Sequence, residues 1–374
     1  MQTPQTARGG RKRIVLAFGT RPEAIKMAPV YRALAQRGVF EPLILLTGQH
    51  KTQLEQALEI FDVPAAMNLH VMSDRQTLPE LAARILPQAA QAFRTLEADY
   101  VLVHGDTLTT FVSAWAAFLE KIPVGHVEAG LRSGSLSEPF PEEANRVLTD
   151  ALCDTFFAPT EGARANLLKS GIPDDKIFVT GQTAVDAIQF ASSRGTLPDG
   201  VPQTGDVVTV TLHRRENWEI LEPLARCLAD VARSHAQWTF VFPVHLNPVV
   251  REAVIPALSG IENVTLTDPL EYGHMAALLA RSRVILTDSG GLQEEGASLG
   301  VPVAVVRNVT ERPEGVEAGI VTLLGNDPQK AAEGFAQLLD DGARRERMAQ
   351  SPNPYGDGKA SQRIAEALER RFSI

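Results

Sequence analysis

Cysteine is almost missing from this chain: there are two in 374 residues, Cys153 and Cys227. They form no C-x-x-C pair, which excludes a disulfide framework and a self-contained four-ligand zinc site and leaves buried thiols as the expectation. Long apolar runs are also missing; none approaches the roughly 18 residues that a membrane-spanning helix requires. The opening stretch MQTPQTARGGRKR is basic but has no apolar h-region and no small-residue cleavage site, so it does not read as a secretory signal. Residues 1–11 are expected to be a frayed tail, and the cytoplasm is the expected compartment. Positive charge is in deficit, with 36 Lys and Arg against 45 Asp and Glu and a net charge of -9. That balance argues against a nucleic-acid partner, and an anionic ligand would need its cations concentrated locally. No G-x-G-x-x-G follows the first strand and no G-x-x-x-x-G-K-[ST] occurs, which speaks against nicotinamide and P-loop nucleotide readings. No His, Asp and Glu set has metal-ligand spacing such as H-E-x-x-H. Neither a metal nor a cofactor is expected.

What remains is a chain long enough for two domains, with 44% hydrophobic and 22% charged residues, the balance of a globular protein. Short β-branched runs alternate with Ala/Leu-rich helical stretches such as 23–37 and 292–299. The first set of strand-like runs is 14–18, 42–46, 100–103, 124–127, 155–158 and 177–180; the second is 207–212, 239–242, 264–267, 284–287 and 301–306. They are apolar throughout rather than alternating, as in a parallel sheet covered by helices on both faces. The βαβα order predicts an α/β protein with two Rossmann-like, doubly wound domains. A Gly, Pro, Ser and Asp-rich stretch at 190–206 marks the junction. The expected domains are 1–185, joined by a C-terminal helix at 357–374, and 186–356. That helix carries Ala360, Ile364, Ala365, Leu368 and Phe372 on one stripe, with Asp357 or Gly358 as its cap.

Ligands of such sheets bind outside the carboxyl ends of the strands, so polar residues just after each strand are the candidates. After the first strand, Pro22 and Glu23 suit a helix start, but Arg21 does not, and Arg21 with Lys26 could converge on phosphate. Asp106 or Thr107 reads equally well as a helix N-cap after Val103. Glu128 lies in an apolar, Gly-flanked context with no helix start to account for it, and a carboxylate there is costly unless paired or functional. Glu142 fits the first turn of a helix, with Arg146 as an i,i+4 partner. His213, Arg214 and Arg215 at a strand end suggest an anion site. The run Asp288-Ser289-Gly290-Gly291 opens another helix; its small residues let a diphosphate approach the free N–H groups. Glu295, about one turn in, could hydrogen-bond ribose hydroxyls. These cations, together with Arg312, all fall in loops or helix starts, so the local concentration an anion requires is present.

Taken in order, the segments FGTRPEAIKMAP (18–29), TGQH (47–50), VHGDTLTT (103–110), IPVGHVEAGLRSG (122–134), PEEANR (141–146), TLHRRENW (211–218), PVHLNP (243–248), LTDSGGLQEE (286–295), TERPE (310–314) and NPYGDG (353–358) resemble the bacterial non-hydrolysing UDP-N-acetylglucosamine 2-epimerases. The resemblance implies a glycosyltransferase-B-like fold, with the active site in the cleft between two Rossmann-like domains and a terminal helix returning to the first. It implies reversible C2 epimerisation of UDP-N-acetylglucosamine to UDP-N-acetylmannosamine. The route is elimination of UDP to a 2-acetamidoglucal and re-addition, supplying ManNAc-type sugars for cell-surface polysaccharide. By motif match it implies Asp106, Glu128, Glu142 and His213 as catalytic. Arg21, Lys26, Ser289, Gly290, Gly291, Glu295 and Arg312 would hold UDP. A second, activating UDP-N-acetylglucosamine would touch Gln49, Arg75, Arg214 and His245. The expected partners are UDP-N-acetylglucosamine and UDP, with a homodimer and no membrane or nucleic acid. One departure stands out: where the family often offers an aromatic near the uracil, this chain reads Gly273-His274-Met275. A UDP-sugar glycosyltransferase of the same fold, a hydrolysing 2-epimerase and a non-catalytic sugar-nucleotide sensor are the alternatives.

Overall fold

The structure, a computed structural model, describes residues 10–48, 51–73 and 76–374. The chain divides into two compact units. The first runs to Ala187 and resumes at Gly358–Ile374; the second is Ile188–Asp357. No helix among the described residues is long and apolar enough to cross a membrane.

In the first unit the chain alternates β1 (Lys12–Phe18), α1 (Arg21–Gln36), β2 (Phe40–Leu46), α2 (Lys51–Glu59), β3 (Met67–Asn68), α3 (Leu78–Thr95) and β4 (Tyr100–His104). It continues through α4 (Leu108–Leu119), β5 (Val124–Val127), α5 (Glu142–Leu152), β6 (Thr155–Ala158), α6 (Glu161–Lys169) and β7 (Ile177–Val179). Helix α7 (Thr183–Arg194) carries the chain across the division. The seven strands are parallel, in the order β3-β2-β1-β4-β5-β6-β7. Val15, Ala17, Val101 and Val103 of the two central strands meet Ile85, Ala89 and Phe93 of α3 in one core.

The second unit runs β8 (Asp206–Thr211), α8 (Leu221–Ser234), β9 (Trp238–Pro243), α9 (Pro248–Leu258), β10 (Val264–Thr267), α10 (Tyr272–Arg281) and β11 (Val284–Thr287). Then come α11 (Gly290–Ser298), β12 (Val303–Val305), α12 (Pro313–Ala318), β13 (Val321–Leu323), α13 (Pro328–Asp340) and α14 (Gly342–Ala349). Its sheet is parallel and ordered β10-β9-β8-β11-β12-β13. In each sheet the order reverses once, between β1 and β4 and between β8 and β11, which opens a crevice at the carboxyl ends of those pairs. Thr211 stands opposite Thr287 across the second reversal, their hydroxyls 2.7 Å apart.

Each strand-like run of the sequence contains a strand, and the structure adds β3 and β13. Both are too short to show as apolar runs; β3 pairs only through Leu45↔Met67 and Leu46↔Asn68. The final helix, α15 (Ala360–Phe372), belongs to the first unit and buries Ala360, Ile364, Ala365 and Leu368, with Phe372 set edge-on to Tyr100 at 5.8 Å. Its cap differs from expectation. Lys359 occupies the cap position without a side-chain cap bond, and the Asp186 carboxylate of α7 accepts the N–H groups of Ala360 (3.2 Å) and Ser361 (2.8 Å) instead. The thiols also differ: both are free and only partly buried, because each lies at the margin of a core cluster.

Candidate active site

The loop after β1 is built around Glu23. Thr20 caps α1 in a capping box with Glu23, whose carboxylate accepts the N–H groups of Gly19 (3.1 Å) and Thr20 (2.7 Å). Its other oxygen accepts the hydroxyls of Thr107 (2.7 Å) and Thr110 (3.1 Å) from the start of α4. Glu23 thus ties together the two loops that flank the first reversal. Thr107, not Asp106, is the cap of α4. Arg21, the first residue of α1, is exposed and makes no ion pair among the described residues.

Lys26, one turn further, turns inward. Its Nζ lies 2.6 Å from Glu128 Oε2, at the carboxyl end of β5. Glu128 has a left-handed backbone (φ 64°), an unusual conformation for a side chain of this size. His104 Nε2, at the end of β4, is 3.5 Å from the same oxygen. Burial pushes the Glu128 carboxyl up, but Lys26 and His104 outweigh it and hold the group well below the usual carboxylate range. Both His104 ring nitrogens are buried without a hydrogen-bond partner among the described residues.

Asp106 is held by α5: Arg146 pairs with its carboxylate, and Asn145 Nδ2 donates to its backbone oxygen at 2.9 Å. The expected Glu142–Arg146 pair does not form. Arg146 instead turns to Asp106 and to Glu143 (3.3 Å), which is buried and accepts the Ser133 N–H at 3.0 Å. Glu142 stands half-buried at the start of α5.

In the second unit, Asp288 organises the crevice. Fully buried, it accepts the backbone N–H groups of His213 (3.1 Å) and Arg214 (3.0 Å) and the side chain of Asn217 (3.1 Å). The His213 ring stacks on His245 at 5.6 Å, and its Nδ1 is 3.5 Å from Asp288. Burial pushes the His213 imidazole down; Asp288 opposes this, and His245 and Arg214 add to it. Arg214 pairs with Glu311 at 3.1 Å, and Glu311 with Arg312 at 3.2 Å. Arg312 also meets Glu294 of α11 at 2.5 Å. Ser289 occupies the cap position of α11 without a side-chain cap bond, Gly290 faces Arg312 and Glu311, and Gly291 opens on space. Glu295 is half-buried one turn along. The helix therefore presents backbone N–H groups to a crevice with Arg312 and Arg214 beside it, an arrangement suited to a diphosphate.

The structure thus gathers Lys26 and Glu128 in one unit, and His213, Arg214, His245, Gly290 and Arg312 in the other. Lys26 lies on a carboxylate rather than in a phosphate nest. Gln49 and Arg75 lie outside the described residues. His274 and Met275 are half-buried in the first turn of α10. Glu23, Asn217, Asp288 and Glu311 are not among the site residues expected from the sequence. Their signal is faint, since each reads as an ordinary loop or helix-start residue until its partners arrive from other strands.

The sequence profile described as UDP-N-acetylglucosamine 2-epimerase matches residues 32–369. A UDP-N-acetylglucosamine 2-epimerase of Escherichia coli (strain K12) is 46% identical over 375 residues, covering 97% of this chain and 100% of that one. The solved UDP-GlcNAc 2-epimerase of Neisseria meningitidis, bound to UDP-GlcNAc, is 42% identical with a TM-score of 0.82, over 96% of this chain and 100% of that one. A calicheamicin glycosyltransferase at 16% identity reaches a TM-score of 0.61 over 97% and 98% of the two chains, a likeness of fold alone. The fold is glycosyltransferase-B-like.

Proposed function

Because this chain belongs to the UDP-N-acetylglucosamine 2-epimerase family, we propose that it interconverts UDP-N-acetylglucosamine and UDP-N-acetylmannosamine without hydrolysis. A base removes the C2 proton while the C1–O bond breaks, the electron pair leaves with UDP, and a C1=C2 bond forms. UDP then re-adds at C1, and a proton is returned to the opposite face of C2. The observation that carries this reading is Glu128: a carboxylate in a strained backbone conformation, kept ionised by Lys26 and His104. Such a group is held as an anion, a weak base but well suited to stabilise the positive charge that develops at C1 as UDP departs. Asp106, Glu142 and His213 are the acid and base groups. The departing diphosphate is received by Arg21, Arg312 and the start of α11 at Ser289, Gly290 and Gly291, with Glu295 on the ribose. Arg214 and His245, beside His213, serve a second, activating substrate molecule together with Gln49 and Arg75. The product supplies ManNAc-type sugars for cell-surface polysaccharide.

Proton NMR of UDP-N-acetylglucosamine in D2O tests the scheme. Deuterium should enter C2 of both epimers while UDP remains attached at equilibrium. Retained protium at C2 would sink the mechanism, and free ManNAc with stoichiometric UDP would make the enzyme hydrolysing.

The assembly we propose is a homodimer. Helix α4 is apolar on nearly every side, yet leaves Trp115, Phe118 and Leu119 exposed, as is Leu148 of the adjacent α5. A helix apolar all round belongs in an interior, and a second copy would provide one. Light scattering should give twice the chain mass, and Phe118→Glu should halve it. A monomer mass for the unaltered chain at micromolar concentration would refute the dimer.

A further inference from the structure

Beneath the carboxyl ends of β4 and β5 lies a buried network that the scheme above does not use. His126, within β5, is 0% exposed. Its Nδ1 lies 2.6 Å from Asp150 Oδ1 on α5, and its Nε2 lies 2.8 Å from the Gly105 carbonyl oxygen. Arg132 donates to the other Asp150 oxygen at 2.5 Å and to its neighbour, the Leu131 carbonyl, at 2.8 Å.

The protons on this network follow from its acceptors. A carbonyl oxygen only accepts, so His126 Nε2 must donate to Gly105. Burial would push the Asp150 carboxyl up, but His126 and Arg132 hold it below its ordinary value. The ring is pinned at both nitrogens, between the Asp150 carboxylate and the Gly105 carbonyl.

The receiving carbonyl is the informative one. Gly105 has φ 69°, where no side chain restrains the backbone, and it directly precedes Asp106. Its N–H donates to the Val127 carbonyl at 3.0 Å, and the next carbonyl, that of Asp106, is held by Asn145. Remove the His126 bond, and the Gly105 carbonyl loses that hold, leaving Asp106 tethered by Asn145 and Arg146 of α5. We propose that His126, braced by Asp150 and Arg132, is a positioning residue that fixes the Gly105–Asp106 peptide and so aims the Asp106 carboxylate at the reacting sugar. This rests on the reading of Asp106 as a catalytic group.

A double-mutant cycle on the full chain tests it, using His126→Gln, Asp106→Asn and both together, with kcat and KM for UDP-N-acetylglucosamine and a thermal melt for each. His126→Gln should lower kcat by roughly 10–100-fold, the order expected when a reacting group is displaced by about 1 Å, while KM moves less than about threefold. The double variant should turn over no more than about twofold slower than Asp106→Asn alone, because a group already silenced cannot be misaimed again. A purely architectural histidine would give losses that multiply, and that result, or an unchanged kcat in His126→Gln, overturns the proposal. Normal turnover by Asp106→Asn would overturn the catalytic reading of Asp106, and the positioning role with it, which is a distinct outcome. Should His126→Gln fail to fold, Asp150→Asn takes its place in the same cycle, since it removes the carboxylate that braces the ring.

Discussion

Glu128 takes its properties from two residues that the chain alone does not place near it. Because Lys26 and His104 lower its carboxyl below the ordinary range, the group's stabilising contribution is present above the unfolded value of about 4.3. It is lost only as pH falls toward the folded value, so mild acid should not disarm the site through Glu128. Lys26→Met reverses the balance. Burial, the largest influence on the group, then acts with less opposition, the carboxyl rises, and the acid limb of the kcat profile should move to higher pH. An unmoved limb, measured by NMR rates across the acid range, would mean that Lys26 does not set the charge of Glu128. The sequence announces Glu128 because no helix start explains an acid between Val127 and Ala129. It does not announce the partner, because Lys26 and Glu128 are 102 positions apart and meet only once β1 and β4 pair and β5 follows. The same blindness misassigned Arg146, whose i,i+4 neighbour Glu142 is near in sequence, while its actual partner Asp106 arrives from the end of β4.

Helix α11 is the element whose role is plainest from its residues, since Ser289-Gly290-Gly291 admits little besides a close backbone approach. The structure adds what the glycine faces: a Cβ at position 290 would lie 2.7 Å from Arg312 Nη1 and 2.9 Å from Glu311 Oε1. Both are the ends of side chains that can yield, so Gly290→Ala should fold with a melting temperature near that of the parent. In yielding, Arg312 leaves the mouth of the helix, and UDP affinity measured by calorimetry should fall by roughly tenfold, the loss of one good charge-assisted hydrogen bond. Unchanged affinity would place the diphosphate elsewhere. Asp288 precedes this helix and remained unread, since an aspartate between a strand and a helix usually caps the helix. Here it reaches back across the sheet to the loop after β8.

At the scale of the whole molecule, the two parallel α/β sheets were legible because buried parallel strands read as short apolar runs with helices between them, while the order of the strands came only with the structure. The cap of α15 was not, since no local pattern points from residue 360 to Asp186. Asp186→Ala should remove about 1–2 kcal/mol from the first unit, the usual worth of a helix cap, as read by urea unfolding. A loss below about 0.3 kcal/mol would show that water replaces the carboxylate freely. The return of α15 to the first unit also constrains how the chain is made. Every strand of that unit leaves the ribosome before any of the second, yet the helix that packs on α1 and meets the ring of Tyr100 is synthesised only after residues 188–357. At cellular elongation rates that interval is roughly 10–30 s. Through it the nascent first unit keeps an apolar face open, so its completion waits on synthesis of the second, and a chain stalled anywhere in the second unit offers that face to chaperones.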